Sequence, residues 1–120
     1  MNRKATGDHA ELLACRYLIR HGLRLLTRNY HCRRGEIDLV MHDGDSLVFV
    51  EVRYRQQTRF GHAAETVSRS KQNRIIHCAR YYMTVHQNWN TPARFDVVAI
   101  EGKLDDVNVE WFANAFQADG

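Results

Sequence analysis

The stretch RRGEIDLVMHDGDSLVFVEVRYR, residues 33–55, contains two runs that alternate apolar and polar side chains around a central Asp-Gly-Asp. Alternation with a period of two marks half-buried strands, and a glycine-centred turn between them marks a tight hairpin. Two registers are open. One centres the turn on Asp43-Gly44 and the other on Gly44-Asp45. In either, one face is expected to carry Ile37, Leu39 and Met41 against Val48, Val50 and Val52, and the other Glu36, Asp38 and Val40 against Phe49, Glu51 and Arg53. The second register sets Asp38 directly opposite Glu51; the first makes them diagonal neighbours.

Like charges on facing strands repel by some tenths of a kcal/mol to about one, and by more once desolvated. Compensation has two sources here. Arg53, with Arg55 or Arg34, can form an ion-pair network. Alternatively, the acids hold a divalent cation, since Mg²⁺ takes one or two carboxylates together with waters and substrate phosphates.

Outward from the hairpin, TGDHAELLACRYLIRHG predicts a helix with Thr6 or Asp8 near its N-cap and Gly22 just beyond its end. Spacing at about 100° per residue gathers Ala10, Ala14, Cys15, Tyr17 and Leu18 on one side and His9, Arg16 and Arg20 on the other. Glu11 falls within the apolar side, a costly place for a carboxylate unless it is paired or coordinating. LRLLTRNYHC reads as a strand. After a looser RQQTRFGHAAETV, a second helix is expected from Ser68 to His86 with Ile75, Ile76, Ala79, Tyr82 and Met83 buried and Arg74, His77, Arg80 and Tyr81 facing away. Lys71 and Gln72 lie near its N-terminus, where the helix dipole favours a phosphate. RFDVVAIEG reads as a buried strand, and VNVEWFANAF as a short strand or turn with a helical end. The expected order is α-β-β-β-α-β. A strand that follows a crossover helix returns parallel, so the expected fold is α/β, a mixed central sheet flanked by helices.

The 120 residues fit a single domain, 1–120, with enough apolar content (44%) for a core without disulfides or a structural metal. Cys15, Cys32 and Cys78 are odd in number and never in C-x-x-C spacing, which argues against both a disulfide framework and a zinc site. The seven histidines show no H-x-x-x-H pattern. No apolar run approaches the roughly 18 residues of a membrane span, and the polar N-terminus carries no address, so a cytoplasmic protein without a membrane partner is expected. The net charge of +3 divides into +7 through residue 80 (15 Lys/Arg, 8 Asp/Glu) and −4 after it (2 against 6). Such polarity suits a surface facing a polyanion, and equally a solvated face.

The first helix, GEIDLVMHDGDSLVFVEVRYR, the basic helix and RFDVVA together resemble the YraN-like family of small bacterial proteins. That family is similar to the restriction-endonuclease-like PD-(D/E)xK nucleases, Holliday junction resolvases especially. The resemblance runs from about Gly7 to Phe116. It implies a metal-dependent endonuclease, possible selectivity for branched DNA, and a homodimer as a common working form. It aligns Asp38 with the metal-binding Asp, Glu51 with the acid of the (Asp/Glu)-x-Lys triplet, and Glu11 with the helical Glu. These three are the expected ligands of Mg²⁺ or Mn²⁺. The triplet reads Glu51-Val52-Arg53, placing arginine where lysine is usual. With a pKa above about 12 arginine stabilises phosphate charge and does not act as a base. Arg53 and Lys71 are therefore the candidate cations beside the reacting phosphate, completing a catalytic set of Asp38, Glu51, Arg53 and Lys71. Arg34, Arg55, Arg69, Lys71, Gln72 and Arg74 are the candidate nucleic-acid contacts. The competing class is a non-catalytic nucleic-acid- or protein-binding module that keeps the nuclease fold and uses the acids as ion-pair partners.

Overall fold

A computed structural model describes residues 3–56 and 67–118. Most of the loop between the hairpin and the second helix lies outside these residues. The order is α1 (Arg3–Arg20), β1 (Arg24–Cys32), β2 (Gly35–Asp43), β3 (Ser46–Arg55), α2 (Arg69–Val85), β4 (Ala93–Lys103) and β5 (Asp106–Phe116). The five strands lie in one sheet in chain order, with every neighbouring pair antiparallel except β3 and β4, which the α2 crossover makes parallel.

The two helices cover opposite faces. Ala10, Ala14, Cys15 and Leu18 of α1 pack on Leu39, Met41, Val48, Val50, Val98 and Ile100. Ile75, Ile76, Cys78, Ala79 and Tyr82 of α2 pack on Val40, Leu47, Phe49, Phe95 and Val97. Alternation along β3 and β4 thus sends successive side chains to α1 and to α2, and the strands read as continuous apolar runs.

The hairpin adopts the register centred on Gly44-Asp45, pairing Asp43 with Ser46. Gly44 has φ +60°, at the first turn position where type II′ hairpins favour glycine. The face assignment holds from Leu39 onward and fails at one residue. Ile37 packs on the α2 side with Val40, not with Leu39 and Met41. The β2–β3 pairing ends at Leu39–Val50, so strict alternation does not extend through Asp38.

Helix α1 begins at Arg3, so Thr6 and Asp8 lie inside it and neither caps it. Its far end is as expected. Gly22 is left-handed (φ +98°), with Leu23 N–H donating to Leu18 O (3.1 Å) and Gly22 N–H to Ile19 O (3.0 Å). These are the paired bonds of a Schellman motif. Ser68 caps α2 by accepting from the Lys71 amide at 3.1 Å.

The C-terminal segment departs from expectation. ANAF is strand, not helix, because β5 pairs along β4 as far as Phe116, whose ring stacks on Phe95 at 5.0 Å. Long-range pairing here overrides local propensity. A bulge between Phe95 and Val97 interrupts that ladder at Asp96, and Asn114 takes φ +54° opposite it. Asp96 is fully buried and accepts from the Arg94 guanidinium (3.1 Å), the Trp111 indole (2.9 Å) and the Asn114 amide (2.8 Å). Arg94 also reaches Asp43 at 2.9 Å, tying the hairpin turn to β4. Asp96→Ala would strand these donors, and removing one partner of a buried charged pair costs about 3–5 kcal/mol. Urea denaturation of Asp96→Ala is expected to show a loss of that size, with Trp111→Phe losing only about 1–3 kcal/mol.

Candidate functional site

Where the β2–β3 ladder stops, a side chain takes over a backbone role. Asp38 Oδ2 accepts the Val52 amide at 2.8 Å, so the carboxylate stands between the diverging strands. Glu51, one residue before Val52, is 4% exposed and Asp38 is 8% exposed. Burial is the first cause that pushes the Asp38 carboxyl well above the usual range; the charge of Glu51 and a side-chain hydrogen bond with it add to this. The Val52 amide and the Lys71 charge pull the other way. The two acids that the sequence sets opposite one another therefore meet in a desolvated patch.

Two cations reach the same Glu51 oxygen. Lys71 Nζ is 3.5 Å from Oε2 and Arg53 Nη1 is 3.6 Å. Lys71 comes from the first turn of α2, on the opposite side of the sheet layer from α1. The crossover helix thus delivers an ammonium to the acid that follows the hairpin register, although 20 residues separate the two in sequence.

Glu11 enters from α1. Its Oε1 is buried without a hydrogen-bond partner. Burial first, then the charges of Asp38, Asp8 and Glu36, raise its pKa to about 7, and Arg28 opposes them. A cavity of about 700 Å³ opens beside it, lined among others by Asp8, Arg28, Asn29, His31 and Glu36. Among the described residues no three acid, His or Cys side chains are already drawn together as a metal cage. The donor chemistry nevertheless fits a hard cation that uses one or two carboxylates and several waters: all oxygen, part desolvated, with one orphaned oxygen.

Glu36 is exposed and pairs with His31 at 3.3 Å. Arg28, Asn29 and His31 are lining residues that the sequence reading missed. A bulge between Leu25 and Thr27 resets the register of β1 before them, and Asn29 takes φ +51°; no periodicity in RLLTRNYHC announces either. Of the candidate phosphate contacts, Gln72 donates to Val67 O (3.1 Å) and accepts from Arg69 (3.0 Å), and Arg69 also donates to Gln117 O (3.3 Å). Both are bound within the chain. Arg55 is exposed at the end of β3, and Arg34 and Arg74 share a groove beside the start of α2.

This arrangement, an α/β sheet with an acid on each of two neighbouring strands where their pairing ends, a helical acid and a basic crossover helix, is compatible with the nuclease-like class. Residues 10–100 match the family described as "Uncharacterised protein family UPF0102", and the chain belongs to that family, which is restriction-endonuclease-like and bacterial. It is 50% identical over 114 residues to a "UPF0102 protein" of Colwellia psychrerythraea, covering 92% of this chain and 87% of that one. A "UPF0102 protein" of Stutzerimonas stutzeri is 47% identical over 116 residues, covering 96% and 97%. One of Aeromonas hydrophila is 51% identical over 112 residues, covering 92% and 83%. No helix among the described residues is long and apolar enough to cross a membrane.

A carboxyl whose folded pKa lies above its ordinary value of 4.5 binds more protons in the native than in the unfolded state. Stability from Glu11 is therefore present below about pH 4.5 and is lost as the pH rises through about 7, with Asp38 acting in the same direction. Thermal denaturation in EDTA is expected to show the melting temperature falling across that window. Glu11→Gln should flatten the fall and melt higher than the parent at pH 8; an unchanged pH profile would place Glu11 in ordinary solvent.

Proposed function

We propose that the protein is a metal-dependent nucleic-acid phosphodiesterase, an endonuclease acting on DNA by shape more than by sequence. The observation that carries this reading is the buried Asp38–Glu51 pair, held against Lys71 and Arg53 and joined from α1 by the partnerless Glu11 oxygen. Asp38 and Glu51, with Glu11, would hold Mg²⁺ or Mn²⁺. When bound, such a cation polarises a phosphodiester and lowers the pKa of a coordinated water.

The chain's own residues have separable tasks. The Val52 amide fixes the Asp38 carboxylate so that it does not rotate away when the site is empty of substrate. Lys71 and Arg53 hold positive charge beside Glu51 and neutralise charge that develops on the phosphate. Arg53 replaces the usual lysine as a charge stabiliser but takes no proton; Lys71 returns an ammonium to the site from another element. Arg34, Arg55 and Arg74 contribute affinity that depends on salt and carries little base information. Contacts made to phosphates select shape more than sequence, so branched or distorted DNA is the favoured substrate class.

One observation favours a second reading. Glu51 already has two cationic partners, which satisfies its charge without a metal. A binding module that retains the nuclease fold would use the acids in this way alone.

Cleavage of labelled linear duplex, single strand, flap and four-way junction in Mn²⁺ separates the two. The endonuclease reading expects cutting that EDTA and Asp38→Asn abolish and that Lys71→Ala slows by about 10²–10³. It also expects metal to stabilise the fold, by about 2.7 kcal/mol at a hundredfold excess over Kd. Binding to all four substrates without cutting, and without a metal-induced rise in melting temperature, would establish the module instead.

A further inference from the structure

The groove beside α2 is chemically distinct from the acid site. Its cavity, about 430 Å³, is lined by Arg34 from the β1–β2 turn and by Ser70, Asn73, Arg74 and His77 from α2. The four α2 residues recur at i, i+3, i+4 and i+7, a single helical face. Gly35 brings the turn onto this face: a Cβ there would lie 3.4 Å from the Arg74 Cβ, so the turn backbone rests on the helix and carries Arg34 to the groove. Arg74 Nη1 donates to the Ser70 hydroxyl at 3.2 Å, which orients the guanidinium along the helix.

Among the described residues no carboxylate lines the groove, and neither Arg34 nor Arg74 stands within ion-pair distance of one. The nearest acid in sequence, Glu36, is taken by His31. All five lining side chains are exposed, and two guanidiniums brought to one open groove raise the local positive potential, which favours an anion from solution. Two guanidiniums with a hydroxyl, an amide and an imidazole present a fork of donors suited to tetrahedral oxygens, which is how phosphate groups are bound.

We infer that Arg34, Ser70, Asn73, Arg74 and His77 form a phosphate-group site separate from the acid centre. Gly35 precedes Asp38 by three strand residues, about 10 Å, or roughly three nucleotide rises along one strand. The group bound is then either an internal phosphodiester of a strand that also reaches the acid centre, or a terminal phosphate. Identification of nucleic acid as its source rests on the function proposed above; binding of phosphate itself does not.

The test starts with inorganic phosphate titrated into the full chain and followed by backbone-amide NMR. Saturable shifts are expected at Gly35, Ser70 and Arg74, and are expected to vanish in Arg34→Gln/Arg74→Gln. Arg34→Gln alone leaves the Arg74–Ser70 bond and the helix packing intact, and is expected to weaken phosphate binding on its own. Affinity for single strands is then measured in EDTA as a function of salt. Removing two phosphate contacts should lower the slope of log K against log salt for single strands by about 1.4. A larger loss for 5′-phosphorylated than for 5′-hydroxyl strands identifies a terminal phosphate; equal losses identify an internal diester. Phosphate shifts that are absent or scattered over the surface, together with an unchanged salt slope, would overturn the site. Because no metal or cleavage enters these measurements, an inactive enzyme would leave this result standing, and an active one that ignores the double substitution would refute it alone.

Discussion

The hydrogen bond from the Val52 amide to the Asp38 carboxylate is the constraint on which the site depends. A regular antiparallel ladder continued past Leu39–Val50 would place Asp38 and Glu51 as an ordinary cross-strand pair, exposed to repulsion and free to rotate apart. Ending the ladder there lets the side chain do what a backbone carbonyl would otherwise do. The strands diverge, Ile37 crosses to the α2 side, and the two acids are held together in a nearly dry patch. An unpaired carboxylate pair so placed is costly, and everything around it moderates that cost: Lys71, Arg53 and the Val52 amide.

The rest of the fold explains why those moderators arrive. The parallel β3–β4 pair requires a crossover, and the crossover is α2. A helix packed over the Phe49–Val97 face through Ile75, Ile76 and Ala79 has its first turn near the end of β3, so Lys71 reaches Glu51 while Ser70, Asn73 and Arg74 project to the adjoining groove. One helix therefore serves an acid centre and a cationic groove with residues only three positions apart. On the other face, α1 brings Glu11 to the edge of the same strands, its apolar neighbours Ala10, Ala14 and Leu18 fixing the rotation. The Asp96 cluster, one strand over from Val50, locks β5 and the hairpin turn to β4 and so keeps the sheet edge in register.

Much of this was legible in RRGEIDLVMHDGDSLVFVEVRYR and its flanks. The alternation specified the hairpin, the glycine its turn, and the odd placement of Glu36, Asp38 and Glu51 an unusual requirement for compensation. Helical spacing placed Glu11 inward and Lys71 at the edge of the buried stripe of α2. Less legible were features that depend on two segments meeting. The bulge in β1 that turns Arg28, Asn29 and His31 toward Glu11, the pairing of Glu36 with His31, and the strand conformation of ANAF each depend on a partner strand.

The sequence by itself determined the periodicities: which residues of each element are apolar, hence which face is buried, and that Glu36 and Asp38 on one strand and Glu51 on the other would fall toward the hairpin's open end. It did so because strand and helix repeats are properties of local backbone geometry. Only the tertiary structure decided where the β2–β3 ladder stops, which cations meet Glu51, and that Arg34 and Arg74 share a groove. Those outcomes arise from the packing of α2 against the turn at Gly35 and the divergence of strands at Asp38, contacts between segments far apart in the chain. No local pattern encodes them, because their energies come from burial and partner choice that exist only once the layers have closed.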